Sequence, residues 1–150
     1  MSAELQQLYQ QIILDHSKSR HGEGLKEAAE GTVAGQSHQY NPTCGDEITL
    51  RVIRNGDTIA AVSWEGDGCS ISMAAASVLT DMVGDGLSQT ELLGLIDNFR
   101  EVLRSRGTVE ADEEVLGDAA AFSGVSRYPA RVKCAMLAWV AAEEAMLASR

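Results

Sequence analysis

Residues 47–64 read Glu-Ile-Thr-Leu-Arg-Val-Ile-Arg-Asn-Gly-Asp-Thr-Ile-Ala-Ala-Val-Ser-Trp, and this stretch decides the fold. Ile48, Leu50 and Val52 alternate with Glu47, Thr49 and Arg51, the two-residue period of a strand with one buried face. Asn55-Gly56 then supplies a tight turn, and Thr58 to Trp64 returns with β-branched and apolar residues, so the segment is an antiparallel hairpin. A third strand is read in Thr32 to Gln39. Downstream, Ile71, Ala74, Ala75, Val78, Leu79 and Met82 recur at helical intervals from Ser70 to about Val83, with Gly84-Asp85-Gly86 as the stop. Ser88 and Glu91 form a capping box opening another helix through about Arg104. A last helix, rich in Ala, Met and Leu, follows Pro129 from about Ala130 to Ala148. Upstream, Leu5, Leu8, Tyr9, Ile12 and Ile13 mark an amphipathic helix from Ala3 to about His16, and Ser17 to Gly35 reads as an exposed connection. Strands lead and helices follow, which predicts an α+β domain: a small antiparallel three-stranded sheet with helices packed on one face.

The chain has 150 residues, 45% of them hydrophobic, enough to bury one core and too few for two ordinary domains, so residues 1–150 are read as a single domain. A formal net charge of −10 repels phosphate backbones and anionic bilayers, which argues against nucleic acid and membrane as partners. No run approaches the roughly 18 apolar residues that span a bilayer, and Met1 to Gln10 lacks the charge pattern of a leader, so a cytoplasmic protein is expected.

Three cysteines are an odd number, and a reducing compartment disfavours structural disulfides, which leaves metal binding, thiol chemistry or core packing. Each lies where the predicted elements begin or end: Cys44 before a strand, Cys69 between strand and helix, Cys134 near a helix start. Such positions can gather at one end of the sheet. Gly45 between Cys44 and Asp46 lets the backbone bend so that thiolate and carboxylate converge. In Glu65-Gly66-Asp67-Gly68-Cys69 the glycines permit close approach, and the helix that follows favours the Cys69 thiolate. Three thiolates and one carboxylate fill a tetrahedral shell suited to zinc or an iron-sulfur cluster rather than magnesium or calcium. The spacing is not that of a zinc finger, however, so local chemistry leaves both a metal site and scattered core cysteines open. Arg131 and Lys133 can offset the anionic ligands or steer an anionic sulfur species, or simply solvate a helix start.

Three segments taken in order, Asn41-Pro42-Thr43-Cys44-Gly45-Asp46, Glu65-Gly66-Asp67-Gly68-Cys69-Ser70-Ile71-Ser72 and Arg131-Val132-Lys133-Cys134-Ala135, resemble the cysteine motifs of the IscU/SufU/NifU N-terminal family of iron-sulfur cluster assembly proteins. The resemblance spans nearly the whole chain and includes Ile13-Leu14-Asp15-His16, although Ser17 to His21 depart from the family's usual sequence. Asp112 to Asp118 looks like the insertion of the SufU branch, and Lys133 stands where the IscU branch carries histidine. The resemblance implies a SufE/NifU-like fold, tightly bound zinc and transfer of sulfur from a SufS-type cysteine desulfurase toward a downstream cluster assembly scaffold. It further implies that Cys44 accepts the sulfur, that Asp46, Cys69 and Cys134 are its companion zinc ligands, and that Arg131 assists. In the family model a partner histidine replaces Cys44 on the metal and frees its thiolate. The alternative within the family is a scaffold that builds an iron-sulfur cluster on the same ligands; a purely structural zinc is a third reading.

His16 ends a predicted helix, and His21 and His38 lie in unpatterned polar sequence, so none of them is assigned as a ligand. Asp67 reads as a turn residue between glycines. Trp64 and Trp139 read as core or partner-surface aromatics.

Overall fold

Asp46, Ile48, Leu50 and Val52 are all buried, while Glu47, Thr49 and Arg51 between them are not, so one face of the hairpin carries the core, as its alternation predicts. The computed structural model describes residues 3–84 and 86–149. Its sheet comprises β1 (Val33–Asn41), β2 (Asp46–Asn55), β3 (Thr58–Asp67) and β4 (Leu87–Ser88), antiparallel throughout and in that order across the sheet. The two-residue β4 extends the three strands expected; it pairs Leu87 with Ile59 and Ser88 with Thr58, and is too short to show any alternation. The first strand runs two residues beyond Gln39, ending where Asn41 pairs with Asp46.

Among the described residues there are five helices: α1 (Ala3–Ser19), α2 (Ser70–Val83), α3 (Gln89–Arg104), the single turn α4 (Glu113–Leu116) and α5 (Pro129–Ala148), with a 3-10 run over Gly117–Arg127 before the last. Of the predicted Gly84-Asp85-Gly86 stop, Asp85 lies outside the described residues. The capping box is formed: the Ser88 hydroxyl accepts from the Glu91 N–H and the Glu91 carboxylate from the Ser88 N–H, each at 3.0 Å. Along α3, Leu92, Leu95, Ile96, Phe99, Val102 and Leu103 are buried, a stripe of helical period. Phe99 stacks on Trp139 of α5 with ring centroids 4.0 Å apart and meets Phe122 edge-on at 5.9 Å, so three elements share one aromatic centre. Trp64 and Trp139 are both fully buried.

The first helix is narrower in its contacts than its sequence suggests. Tyr9 and His16 are buried, and Leu5, Ile12 and Ile13 pack partly against the core, but Leu8 is 54% exposed. Five apolar positions cover a wider arc than the line of contact with α2 and the 3-10 run, and Leu8 falls outside it. The connection after α1 is also more ordered than expected. Gly24 N–H donates to the Trp64 carbonyl (2.7 Å) and Trp64 N–H to the Gly22 carbonyl (2.9 Å), so residues 22–24 line the β3 edge that β4 leaves open.

The last helix lies almost against the sheet backbone. A Cβ on Gly35 would fall 1.8 Å from the Ala145 carbonyl oxygen, so β1 and α5 approach each other only because that position has no side chain. By contrast, a Cβ on the exposed helical Gly94 meets nothing within 4 Å. Urea unfolding should therefore find Gly35→Ala destabilised by about 1–3 kcal/mol, and Gly94→Ala stabilised by up to about 1 kcal/mol through helix propensity.

Candidate metal centre

The turn joining β1 to β2 carries Cys44. Asn41 ends β1 and organises the turn: its side-chain oxygen accepts from the Thr43 N–H at 3.1 Å and its carbonyl from the Gly45 N–H at 2.8 Å. Gly45 has φ +72°, the left-handed bend that turns Cys44 and Asp46 toward a common point. Because Asp46 opens β2 in phase with Ile48, Leu50 and Val52, its carboxylate points inward and is fully buried.

Buried charge requires partners, and Asp46 has them. One carboxylate oxygen accepts the Cys69 N–H at 2.8 Å; the other accepts the Ser72 hydroxyl at 2.6 Å and lies 3.7 Å from Cys69 Sγ. Burial pushes the Asp46 carboxyl up, but the hydrogen bonds from Ser72 and the Cys69 backbone, with smaller ones from Cys134 and the Cys69 thiol, outweigh it and hold the group below the usual carboxylate range. Gly68 makes this approach possible, since a Cβ there would sit 2.4 Å from Asp46 Oδ1. Cys69 is the N-cap residue of α2, so the carboxylate also stands at the positive end of a helix.

Cys134 enters from the second turn of α5 and is fully buried. Its Sγ lies 2.9 Å from Cys44 Sγ, well beyond the roughly 2.05 Å of a disulfide, and all three cysteines are free thiols. Burial pushes the Cys134 thiol up strongly, reinforced by the Cys44 thiol and the Asp46 carboxylate beside it. Cys44 is exposed, Cys69 half-buried, Cys134 buried. The four groups thus span the distance from solvent to core.

Donor atoms of Cys44, Asp46 and Cys134 all lie within 4.8 Å of one another; Cys69 stands outside that group and touches it only at Asp46, its Sγ 3.7 Å from the carboxylate. A tetrahedral zinc shell with sulfur at 2.3 Å spaces neighbouring sulfurs about 3.7 Å apart; Cys44 and Cys134 Sγ stand closer together, at 2.9 Å, and would move apart to take an ion. The donor set fits zinc in chemistry as well: three soft sulfurs and one carboxylate, the latter already ionised and hydrogen-bonded from outside the cluster. Arg131 occupies the exposed first turn of α5 and lines the groove that also reaches Cys69; among the described residues its side chain makes no ion pair or hydrogen bond. Lys133 is exposed two residues further on.

Two residues beside the centre had no role assigned from sequence. Ser72, one helical turn beyond Cys69, is buried and touches both Asp46 and Cys69 Sγ, the latter at 3.5 Å; its position three residues from a cysteine on a helix was the available signal. Asn41 Nδ2 reaches toward Cys134 Sγ at 4.0 Å. Asp67 instead serves its turn, its carboxylate accepting from the Gly68 N–H at 3.0 Å. His16, His21 and His38 do not enter this centre: His38 pairs with Glu47 at 2.8 Å on the exposed sheet face, while His16 and His21 meet Asp81 elsewhere.

Residues 8–135 match the family model described as the NifU-like N-terminal domain. The chain is 38% identical over 144 residues to the iron-sulfur cluster assembly scaffold protein IscU of Streptococcus pyogenes serotype M1, covering 96% of this chain and 86% of that protein. It is also 38% identical over 144 residues to the zinc-dependent sulfurtransferase SufU of Bacillus subtilis strain 168, covering 95% and 92% respectively. Among solved structures, an iron-sulfur cluster assembly scaffold protein for the SUF system from Fervidobacterium islandicum AW-1 superposes with a TM-score of 0.72 at 36% identity, over 90% of this chain and 93% of that one. With the three motifs, the fold and these relatives in agreement, the chain belongs to the IscU/SufU/NifU N-terminal family of iron-sulfur cluster assembly proteins, as a SufU-type member.

Proposed function

We propose that the protein, acting as a single domain, is a zinc-dependent sulfur acceptor that takes persulfide sulfur from a SufS-type cysteine desulfurase and passes it to a downstream cluster assembly scaffold. The observation that carries this reading is the graded burial of the thiols. Cys44, on a turn, is the most exposed of the three thiols, whereas Cys134 and Asp46 are fully buried and Cys69 is half-buried. A partner's persulfide arriving from solvent meets Cys44 first.

In this reading Cys44, Asp46, Cys69 and Cys134 hold the zinc, which when bound keeps its sulfur ligands deprotonated at neutral pH. The Cys44 thiolate attacks the terminal sulfur of the desulfurase persulfide. A new sulfur–sulfur bond forms on Cys44 as the old one breaks, and the desulfurase cysteine leaves as thiolate, so no outside oxidant or reductant is needed. Ser72 and the Cys69 N–H keep Asp46 ionised and oriented throughout, while Gly45 lets the Cys44 turn adjust without moving β2. Arg131, exposed on the groove beside Cys69, offers a guanidinium to an anionic sulfur species.

A scaffold role has support of its own, since a 38% identical relative carries the scaffold name and the same donors suit iron and sulfide as cargo. The two readings separate in one experiment. Desulfurase turnover of cysteine is measured with and without the protein, alongside metal analysis. Stimulation with about one zinc per chain, abolished in Cys44→Ala, is the expected result. Zinc without stimulation, joined by cluster absorbance and delivery to an apo acceptor after anaerobic reconstitution, would replace transfer with scaffolding. A second substitution tests the support of the site: Ser72→Ala should weaken zinc binding by about 10–100-fold in a chelator competition while leaving Cys44 reactive toward alkylating reagents. Unchanged zinc affinity would remove Ser72 from the site.

A further inference from the structure

Where α1 packs against α2 and the 3-10 run, residues of three elements converge. His16, near the end of α1, is 8% exposed, and its ring is pinned at one nitrogen: Nδ1 lies 2.8 Å from the Ser77 hydroxyl, inside α2. The other nitrogen, Nε2, faces two carboxylates, with Asp118 Oδ2 at 3.1 Å and Asp81 Oδ2 at 3.9 Å. His21 approaches from the connection after α1, with Nδ1 2.8 Å from Asp81 Oδ2 and its backbone N–H donating to the same Ser77 hydroxyl at 3.0 Å. One donor atom from each of His16, His21 and Asp81 lies within 4.8 Å of the others.

We infer that His16, His21 and Asp81, with Asp118 beside them, form a second site for a divalent transition-metal ion of the zinc class, separate from the cysteine centre. Geometry supports it first. Nitrogen and oxygen donors in a tetrahedral zinc shell lie about 3.4 Å apart, and the contacts of 2.8, 3.1 and 3.9 Å bracket that spacing. Charge supports it next. Among the described residues, the ion-pair partners of Asp81 and Asp118 are these two histidines, with no lysine or arginine, so a divalent ion would meet two carboxylates and no permanently charged side chain competing for them.

The surroundings are also those of a ligand set. With an ion on Nε2, the His16 proton resides on Nδ1 and donates to Ser77 Oγ, which accepts the His21 N–H as well; one fully buried hydroxyl thereby orients both imidazole residues. Two imidazoles with carboxylates suit zinc or its first-row neighbours and disfavour calcium or magnesium. His21 and Asp81 have half-exposed side chains, which leaves them free to adjust to an ion and leaves an open path for its entry. Bound there, the ion would tie the end of α1 and residues 20–24 to α2 and the 3-10 run.

The test is equilibrium dialysis of the full chain against zinc chloride, followed by metal analysis, comparing the unaltered protein with His21→Ala and Asp81→Asn. The unaltered protein should hold about one ion per chain more than either variant. Repeated with cobalt(II), the ion lost in the variants should lack the thiolate charge-transfer absorption that a cysteine-bound ion carries. Because the readout is a difference, it stands whether or not the cysteine centre fills: failure of that centre removes the charge-transfer band from every sample, and failure of the histidine site equalises the samples. Equal uptake by the unaltered protein and His21→Ala would overturn the inference, as would loss in His21→Ala with full retention in Asp81→Asn.

Discussion

The carboxylate of Asp46 is the constraint around which this molecule is arranged. It sits at the core end of β2, fully buried, where desolvation alone would cost several kcal/mol, about that of any buried ion. Its neighbours meet that cost: the Ser72 hydroxyl, the Cys69 N–H, and the positive end of α2. Those contacts also fix the first turn of α2 against the start of β2, with Gly68 leaving room for it. The same group that joins strand to helix is therefore the anionic centre of the cysteine cluster. Fold and site are not separable at this point of the chain.

Most of the framework could be read from short-range pattern. The hairpin is written in the alternation of residues 47–52 and in Asn55-Gly56, and α3 in its capping box and apolar stripe, because those signals arise from contacts within a few residues. What escaped was what depends on distant partners. Two residues suffice for β4 once Ile59 offers an edge, and nothing within Leu87-Ser88 announces it. Leu8 follows the helical period yet faces solvent, since the width of the buried arc is set by α2 and the 3-10 run, not by α1. The order of residues 22–24 likewise comes from Trp64, some forty positions away.

The cysteine site was legible in a different way. Spacing alone leaves a metal centre and scattered core thiols equally open, because the three thiols come from three separate stretches. The resemblance of three ordered motifs links them, and the backbone at Gly45 and Gly68 gives the physical reason that those glycines accompany Cys44, Asp46 and Cys69. Ser72 went unassigned because serine is common in helices and only burial distinguishes this one. A histidine that ends a predicted helix, as His16 does, or lies in unpatterned polar sequence, as His21 does, carries little information until α2 brings Asp81 and Ser77 beside it.

The two tryptophans occupy unlike settings, and this has a consequence for observing the molecule. Trp139 is stacked on Phe99 in the aromatic centre and donates its indole N–H to the Ala75 carbonyl at 3.1 Å, so its emission reports the helical core as a whole. Trp64 donates to the His21 carbonyl at 2.8 Å beneath the Arg20 guanidinium, which stands 5.1 Å from its ring. Its emission reports instead whether residues 20–24 are seated on the sheet edge. The chain thus contains two intrinsic optical reporters, one for global unfolding and one for the local detachment of a single segment.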